Sequence, residues 1–183
     1  MRLIRRWLSG GFGLGFALLC GVLAMQAPAF TAAYGTALLQ VAADARRDID
    51  QREDSARQYY GIAAREDDAV VDALKAREPS NAESLARSIA HAGRLGAAYG
   101  KIAQSPALLR PIAALTDAAN DPEGDKAAIW RLSWQSFTPR IDLSVAAVIY
   151  GFAGLMLGSL VAELVAAALA RAMRRRVPPR GYP

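Results

Sequence analysis

The chain has 183 residues, of which 53% are hydrophobic and 21% are charged, and its formal net charge is +5. The positive charge lies at the two ends. Residues 29–142 carry 14 Lys and Arg against 16 Asp and Glu, whereas the remaining residues carry eight Arg against one Glu. Because the basic residues form no face interleaved with aromatic side chains, we predict no nucleic-acid partner. The single cysteine, Cys20, excludes an intramolecular disulfide.

The first element is an apolar segment, residues 7–27, which follows a short N-terminus, residues 1–6. The basic residues of this N-terminus are Arg2, Arg5 and Arg6. At about 1.5 Å of helical rise per residue, the segment crosses the ~30 Å hydrocarbon core of a bilayer, and it is predicted to span a membrane. Its small residues recur at a spacing that allows close helix packing, and the packing candidates are Gly11, Gly15 and Gly21.

A cleaved signal peptide is the competing interpretation of the same segment. A basic start, an apolar stretch and the sequence Ala27-Pro28-Ala29, which resembles a cleavage site, are all present. The apolar run is longer than the roughly 7–15 residues usual in a signal peptide, however, and it carries the glycine spacing of a packed transmembrane helix. We therefore predict that the first span is retained.

The second apolar segment begins with twenty residues, 143–162, that carry no charge, and a span over 143–170 is predicted. Asp142 or Ser144 can cap this helix. Its packing candidates are Gly151, Gly154 and Gly158. The basic tail, residues 171–183, contains Arg171, Arg174, Arg175 and Arg176. Glu163 lies late in the span, and we expect it at the level of the headgroups.

The charges next to the spans predict the orientation. The outer ends are rich in Arg. On the inner side, the flank after the first span has no basic residue from Pro28 to Ala45, and the flank just before the second span has only Arg131 and Arg140. By the positive-inside rule both termini are cytoplasmic. The predicted fold is therefore all-α, with two transmembrane helices in a bacterial inner membrane flanking a periplasmic helical bundle, residues 28–142. The lipid bilayer is the first predicted partner.

The segment between the spans is predicted to contain only helices. Its longest helix, of about 30 residues, carries an apolar stripe at heptad-like spacing, interrupted only by Arg52. The stripe is Leu38, Ala42, Ala45, Ile49, Arg52, Ala56, Tyr59 and Ala63. A short helix over 67–77 follows and is stopped by Pro79.

Three further helices are predicted before the second span. Ser80 with Glu83 forms a capping box for a helix that reaches Gln104. Ser105 and Pro106 are typical of an N-cap and first position, starting a helix whose apolar residues are Leu108, Leu109, Ile112 and Leu115. After a turn at 120–124, the last helix closes at Thr138-Pro139.

The last helix carries an aromatic face. Trp130, Trp134 and Phe137 recur at i, i+4 and i+7. Three interpretations remain open. The rings fill the core of the bundle, they lie in the interfacial belt that amphipathic aromatic residues favour, or they stack on a ligand.

The sequence contains no recognisable catalytic, metal-binding or cofactor-binding motif. His91 is the only histidine, and the only cysteine lies inside a span, so we predict no Cys–His nucleophile and no nitrogen-rich metal site. The densest carboxylate cluster, residues 66–68, is typical of a solvated helix end, with weak divalent-cation binding as the alternative. No phosphate-binding, dinucleotide-binding or hydrolase motif occurs. The predictions are no enzymatic activity, no catalytic or metal residues and no cofactor.

The order of features resembles a known family. Gln26-x-Pro28-x-Phe30-x3-Tyr34 follows the glycine-rich first span, and Trp134-x2-Phe137-x-Pro139 precedes the second. The whole chain resembles the "domain of unknown function 2937" family of two-span proteobacterial inner-membrane proteins. The resemblance implies a retained first span. It implies no activity, substrate or catalytic residue.

Two functions are consistent with these observations. The first is a non-enzymatic inner-membrane protein whose periplasmic domain mediates assembly or scaffolding, as an oligomer or as an accessory subunit among other membrane proteins. The alternative is a periplasmic sensing or ligand-binding module that acts through a separate output protein. We expect a pocket lined by Tyr59, Tyr60, Tyr99 and Trp130 in a sensor, and a solid core in a scaffold.

Overall fold

The computed structural model describes residues 2–140 and 143–175, with the side chains of residues 11–140, 143–169 and 171. Over these residues the secondary structure is helical and contains no strand, as predicted. The helices, in chain order, are α1 (Arg2–Met25), α2 (Ala27–Tyr60), α3 (Asp67–Lys75), α4 (Pro79–Gln104), α5 (Arg110–Ala119), α6 (Asp125–Ser136) and α7 (Val145–Arg175).

The chain divides into two compact units. The first comes from the two ends of the chain, Met1–Ala29 and Thr138–Pro183, and contains α1 and α7; we call it the hairpin unit. The second, Phe30–Phe137, contains α3 to α6 and most of α2; we call it the helical unit. Both α1 and α7 are long and apolar enough to cross a membrane.

In the hairpin unit α1 and α7 pack against each other. Local features of the chain determine where α1 ends and where α7 begins. The helix breaks at Gln26, so that Pro28 stands in the first turn of α2, where its missing N–H breaks no helical hydrogen bond. The Gln26 side chain accepts a hydrogen bond from the backbone N–H of Arg140 at 3.3 Å. Ser144 caps α7 as predicted, because its hydroxyl accepts from the Ala147 N–H at 3.2 Å. The other predicted cap, Asp142, lies outside the described residues.

The helical unit has two hydrophobic cores, one at each end. The first joins the start of α2 to the end of α4 and to α5 and α6; its buried residues are Phe30, Tyr34, Leu38, Leu95, Ala98, Ile102, Ala114 and Ile129. The second joins the end of α2 to α3 and to the start of α4; its buried residues are Ile49, Ala56, Val70, Val71, Leu74, Ala82 and Leu85. Since α4 returns beside α2, each core brings together segments that are distant in sequence.

The long amphipathic helix is present, but its buried stripe departs from the predicted heptad. Ile49 and Ala56 are buried as expected, whereas Tyr59 is 82% exposed. Glu53 is buried in place of Arg52. An α-helix has 3.6 residues per turn and therefore drifts relative to a 3.5-residue repeat, which moves the inward face by one position over several turns.

Two predicted helix starts are wrong. The structure begins α4 at Pro79, with Glu78 at the N-cap position and Pro79 in the first turn, so Ser80 is not the cap. The structure begins α5 at Arg110, not at Ser105, because residues 106–109 form a turn in which the Pro106 carbonyl accepts from the N–H groups of Leu109 and Arg110. The apolar residues of this helix, listed above, are exposed.

Candidate functional site

The most distinctive side-chain arrangement is an aromatic cluster at the point where the chain enters and leaves the helical unit. Its members are Phe30, Tyr34, Trp130, Trp134 and Phe137. The ring of Phe30 lies at the centre, 4.6 Å from Trp130, 5.2 Å from Trp134 and 5.5 Å from Phe137, each in an edge-on arrangement. Such pairs add about 0.5–1.5 kcal/mol each beyond the burial of their surface. The cluster joins the first residue of the unit to its last.

The structure distinguishes among the three residues of the predicted aromatic face. Trp130 and Phe137 are half-buried against the first core, in agreement with the core interpretation. Trp134 touches Phe30 with one edge, but 65% of it is exposed. The sequence indicated no contact between Phe30 and these rings, because Phe30 was placed only in a motif before the long helix, whereas the structure includes it in α2.

A buried polar chain lies beside this cluster. The Tyr34 hydroxyl, which is fully buried, donates to Asp117 Oδ2 at 3.4 Å, and Lys126 Nζ donates to Asp117 Oδ1 at 2.7 Å. Burial and the neighbouring Asp117 raise the pKa of Tyr34 above its ordinary range. These side chains join α2, α5 and the start of α6. Because every member has a partner, the arrangement positions helices and offers no free nucleophile.

A second buried polar group, Glu53, lies in the other core. It is 1% exposed; one carboxylate oxygen accepts from Arg57 at 2.9 Å, and the other has no hydrogen-bond partner among the described residues. Burial raises the pKa of Glu53 above its ordinary value, aided by Asp67 and opposed by Arg57. Asp67 itself binds Arg46 through both oxygens, and this pairing lowers the pKa of Asp67. The predicted carboxylate cluster thus contributes Asp67 to an ion-pair network.

His91 lies beside two carboxylates that the sequence analysis did not connect with it. Its Nδ1 is 3.0 Å from Asp125 Oδ2, and ligand atoms of His91, Glu123 and Asp125 all lie within 4.8 Å of one another. This set could hold a divalent cation. Each member is partly exposed, however, and Arg94 already forms an ion pair with Glu123, which opposes a second cation there. A turn and two helices supply these residues, so sequence spacing gave no indication of the cluster.

The four aromatic residues expected in a sensor pocket do not meet. Tyr59 and Tyr60 line an open groove of about 970 Å³ at the far end of α2, with polar residues of α2 and α4. Tyr99 and Trp130 instead pack against the first core. The other lining residues of the groove are Asp48, Gln51, Arg52, Ser55, Ala56, Gln58, Glu78 and Asn81.

The glycines of α7 form a contact face, whereas those of α1 divide between two faces. A Cβ placed on Gly154 would lie 2.7 Å from the carbonyl oxygen of Cys20, and one on Gly158 would lie 2.9 Å from the Cα of Ala17. Gly151 meets Met25 and approaches the backbone of Gly21. By contrast, Gly11 and Gly15 have no neighbour within 4 Å of such a Cβ among the described residues.

The basic flanks are described only in part. Arg171 is exposed near the end of α7, as is Glu163 earlier in the same helix. Helix α1 includes Arg2, Arg5 and Arg6, and α7 includes Arg174 and Arg175, but the side chains of these five residues lie outside the described set. Arg176 lies outside the described residues altogether.

Comparison with known proteins identifies a family. No curated protein and no solved structure shows significant similarity to this chain. The family model described as "Protein of unknown function (DUF2937)" matches residues 8–175, which include most of α1, the whole helical unit and all of α7. This match confirms the resemblance based on the motifs around Phe30 and Phe137. The chain therefore belongs to the DUF2937 family.

Proposed function

We propose that this is a non-enzymatic, two-span inner-membrane protein whose helical unit acts in the periplasm as an assembly or scaffolding domain. The observation that carries the proposal is the nature of α1 and α7. Of the most apolar 18-residue stretch in the helical segment that begins at Gly11, only 11% is buried, and the corresponding value for α7 is 22%. Core helices of a soluble protein are mostly buried, whereas helices in a bilayer leave apolar side chains facing lipid.

The close fit of α1 against α7 supports a retained first span. Without α1, the buried glycines Gly151, Gly154 and Gly158 would lose the neighbours that now cover them. Mass spectrometry of the chain extracted from membranes should therefore find residues 1–27 still attached. A mature N-terminus at Phe30 would establish a cleaved signal peptide and contradict the two-span arrangement.

The scaffolding role is supported by the way in which buried side chains join the helices of the helical unit. The buried Asp117 of α5 accepts hydrogen bonds from Tyr34 of α2 and Lys126 of α6, and this set of contacts joins three helices. Both cores are filled by side chains from several helices. Such a unit presents a fixed surface to a partner, either a second copy or another membrane protein.

Native mass spectrometry after mild detergent extraction tests this role. We expect an oligomer or a complex of fixed stoichiometry that persists on dilution. Mixing tagged and untagged membranes before extraction provides the control for assembly formed after solubilisation. A chain that is monomeric throughout would contradict a role in assembly.

The groove beside Tyr59 and Tyr60 supports a second candidate function, a sensing or ligand-binding module. Arg52 lines it and already donates to Ser84, Ser88 and Asn81, so a small polar ligand would find oriented hydrogen-bonding groups there. A screen of small polar metabolites by thermal shift, with Arg52→Ala as the comparison variant, distinguishes the two functions. A stabilising ligand whose effect disappears in Arg52→Ala would favour the sensor.

A further inference from the structure

Helix α5 packs with its apolar side outward. Its buried residues are Ala114 and Asp117, which are 0% and 8% exposed. The exposed side carries the larger apolar residues of the helix and of the turn before it, Leu108, Leu109, Ile112 and Leu115, which are 42–57% exposed. An amphipathic helix in water ordinarily does the reverse. We call these four residues the α5 face.

The α5 face is part of a larger apolar surface at one end of the helical unit. The described residues of this unit include eight large hydrophobic residues that are exposed. Four form the α5 face, and two more, Leu132 and Trp134, belong to α6, which packs against α5. Only Leu39 and Tyr59 lie elsewhere. A concentration of this kind marks an interaction surface.

This surface lies at the end where both termini of the helical unit meet. The rings of Phe30 and Phe137, the first and last residues of the unit, are 5.5 Å apart. Ile102 and Ala114, which flank the turn that carries Leu108 and Leu109, belong to the same core as Phe30. Along the chain, only residues 26–29 separate Phe30 from α1, and residues 138–144 separate Phe137 from α7. A short stretch of chain therefore tethers this end of the unit to each apolar helix.

The charge distribution is complementary to an anionic surface. Residues 84–116 contain no Asp or Glu; in the sequence Lys101 precedes the α5 face, and Arg110 lies between Leu109 and Ile112. Over the helical unit, residues 44–83 carry seven Lys and Arg against eleven Asp and Glu, a net of −4, whereas residues 84–137 carry six against four, a net of +2. Anionic headgroups attract the second region and repel the first.

From this geometry and charge we infer that the α5 face inserts into the lipid surface of the membrane and holds this end of the helical unit against the bilayer. The inference rests on the proposed function, since it requires α1 and α7 to span that bilayer. An interfacial helix buries its apolar side about 5–10 Å into the headgroup region, with basic residues towards the lipid phosphates. The apolar side of α5 then contacts lipid, and the end of the helical unit that contains the second core is surrounded by water.

Spin-label accessibility in the full chain tests this inference. The protein, in a Cys20→Ala background, is reconstituted into vesicles of phosphatidylcholine and phosphatidylglycerol, with one label at Ile112→Cys. Labels at Tyr59→Cys and Phe152→Cys serve as water and lipid references, since both positions are well exposed and lie in α2 and α7. We expect the Ile112 label to collide several-fold more with oxygen, and several-fold less with a water-soluble nickel chelate, than the Tyr59 label.

The outcomes separate this inference from the two-span proposal. A nickel-accessible Ile112 label, with a lipid-exposed Phe152 label, would overturn the lipid contact and leave the two spans intact. A nickel-accessible Phe152 label would overturn the two-span proposal itself. Protection of Ile112 from both reagents, with spin–spin broadening that disappears on dilution with unlabelled protein, would show that a second copy covers the face and would also overturn the inference.

A charge variant provides an independent readout. Leu109→Glu with Ile112→Glu replaces two exposed residues, so the helical content should be unchanged. A label at Leu115→Cys in this variant should lose its protection from the nickel chelate, and the loss should be greater in vesicles that contain phosphatidylglycerol. Unchanged protection would contradict insertion of the face. Loss of helical content would be detected by circular dichroism, and the Ile112 label alone would then decide.

Discussion

The contacts inside the hairpin unit differ in kind from the contacts inside the helical unit. Helices α1 and α7 meet through small residues, so that Gly154 and Gly158 lie against the backbone of Cys20 and Ala17. The helical unit is held by two cores of larger side chains, and it also contains all ten ion pairs that Lys and Arg form among the described residues. One unit depends on backbone proximity, and the other depends on side-chain burial.

The proposed location of the hairpin unit in a bilayer, with the helical unit in water, accounts for the difference. Lipid is as apolar as leucine, so burial of leucine stabilises no contact between spans, and close packing must supply the association. In water, burial of apolar surface is the main stabilising contribution, and charged residues remain on the outside. The contrast predicts that glycine substitutions disrupt the hairpin unit, whereas large-to-small substitutions disrupt the helical unit.

The largest expected effect is loss of the hairpin on replacing Gly154 and Gly158 by Ile. A Cβ at Gly154 would lie 2.7 Å from a backbone oxygen of α1, which cannot turn aside as a flexible side chain would. The reporter is a disulfide between Gly13→Cys and Ala162→Cys in a Cys20→Ala background. A Cβ on Gly13 would lie 3.8 Å from that of Ala162, within the usual range for a disulfide. We expect crosslinking in the parent and none in the double Ile variant.

The control for this experiment is the pair Gly15→Cys with Ala162→Cys. Gly15 has no neighbour within 4 Å of a Cβ among the described residues, so this pair should not crosslink. If the Gly13 pair fails to crosslink in the parent, or still does so in the double Ile variant, the packing of α1 on α7 is wrong. If the Gly13 crosslink persists in the double Ile variant while co-purified copies are lost, the glycine face lies at a contact between chains instead.

The next largest effect is expected at Phe30. It is 6% exposed and touches three other rings, so Phe30→Ala should lower the free energy of unfolding of the helical unit by about 3–5 kcal/mol. Urea unfolding followed by fluorescence of Trp130 and Trp134 measures this loss. Leu39→Ala, at an exposed leucine of the same helix, should change it by only about 0.5 kcal/mol. A similar small loss for both variants would contradict the central place of Phe30.

A smaller, pH-dependent effect is expected at Glu53. Because burial raises its folded-state pKa above the ordinary 4.5, the folded state holds the proton to higher pH than the unfolded state does. The free energy of unfolding should therefore fall as pH rises from about 4.5 through the folded-state pKa, and stay level above it. Glu53→Gln removes this ionisation, so its stability relative to the parent should increase across that window.

The matched control for Glu53 is Glu83→Gln, which removes one negative charge from an exposed ion pair with Arg87. Urea unfolding at several pH values should show the relative gain for Glu53→Gln only. If the stability difference between Glu53→Gln and the parent is independent of pH, then Glu53 is ionised equally in the folded and unfolded states.

The sequence predicted the elements that depend on local pattern. The length of the two apolar segments identified α1 and α7, and the periodicity of residues 38–56 identified α2. The spacing of Trp130, Trp134 and Phe137 placed them on one helix, but only the fold brings Phe30 between them. Glu53 and Asp117 could not be recognised, since an acidic residue on an amphipathic helix is normally exposed and only tertiary packing turns these two inward.

The errors have a common physical origin. Helix starts at Pro79 and Arg110 depend on the turns that precede them, and a cap motif in the sequence does not indicate which competing turn forms. The outward face of α5 was also beyond prediction, because periodicity shows that a helix is amphipathic without showing which solvent its apolar side meets. The cluster around His91 could not be predicted from the sequence, because it forms through contacts between distant segments.

The most direct test of the two-span proposal is a topology measurement on the full chain. A reporter active only in the cytoplasm, fused after residue 183, and one active only outside it, inserted at Gly124, report the two sides of the membrane. Gly124 suits the insertion because it is an exposed turn glycine with a positive φ of 82°. We expect both reporters to be active and the exchanged pair to be silent. Activity of the exchanged pair would contradict the orientation, and both sites on one side of the membrane would contradict the two spans.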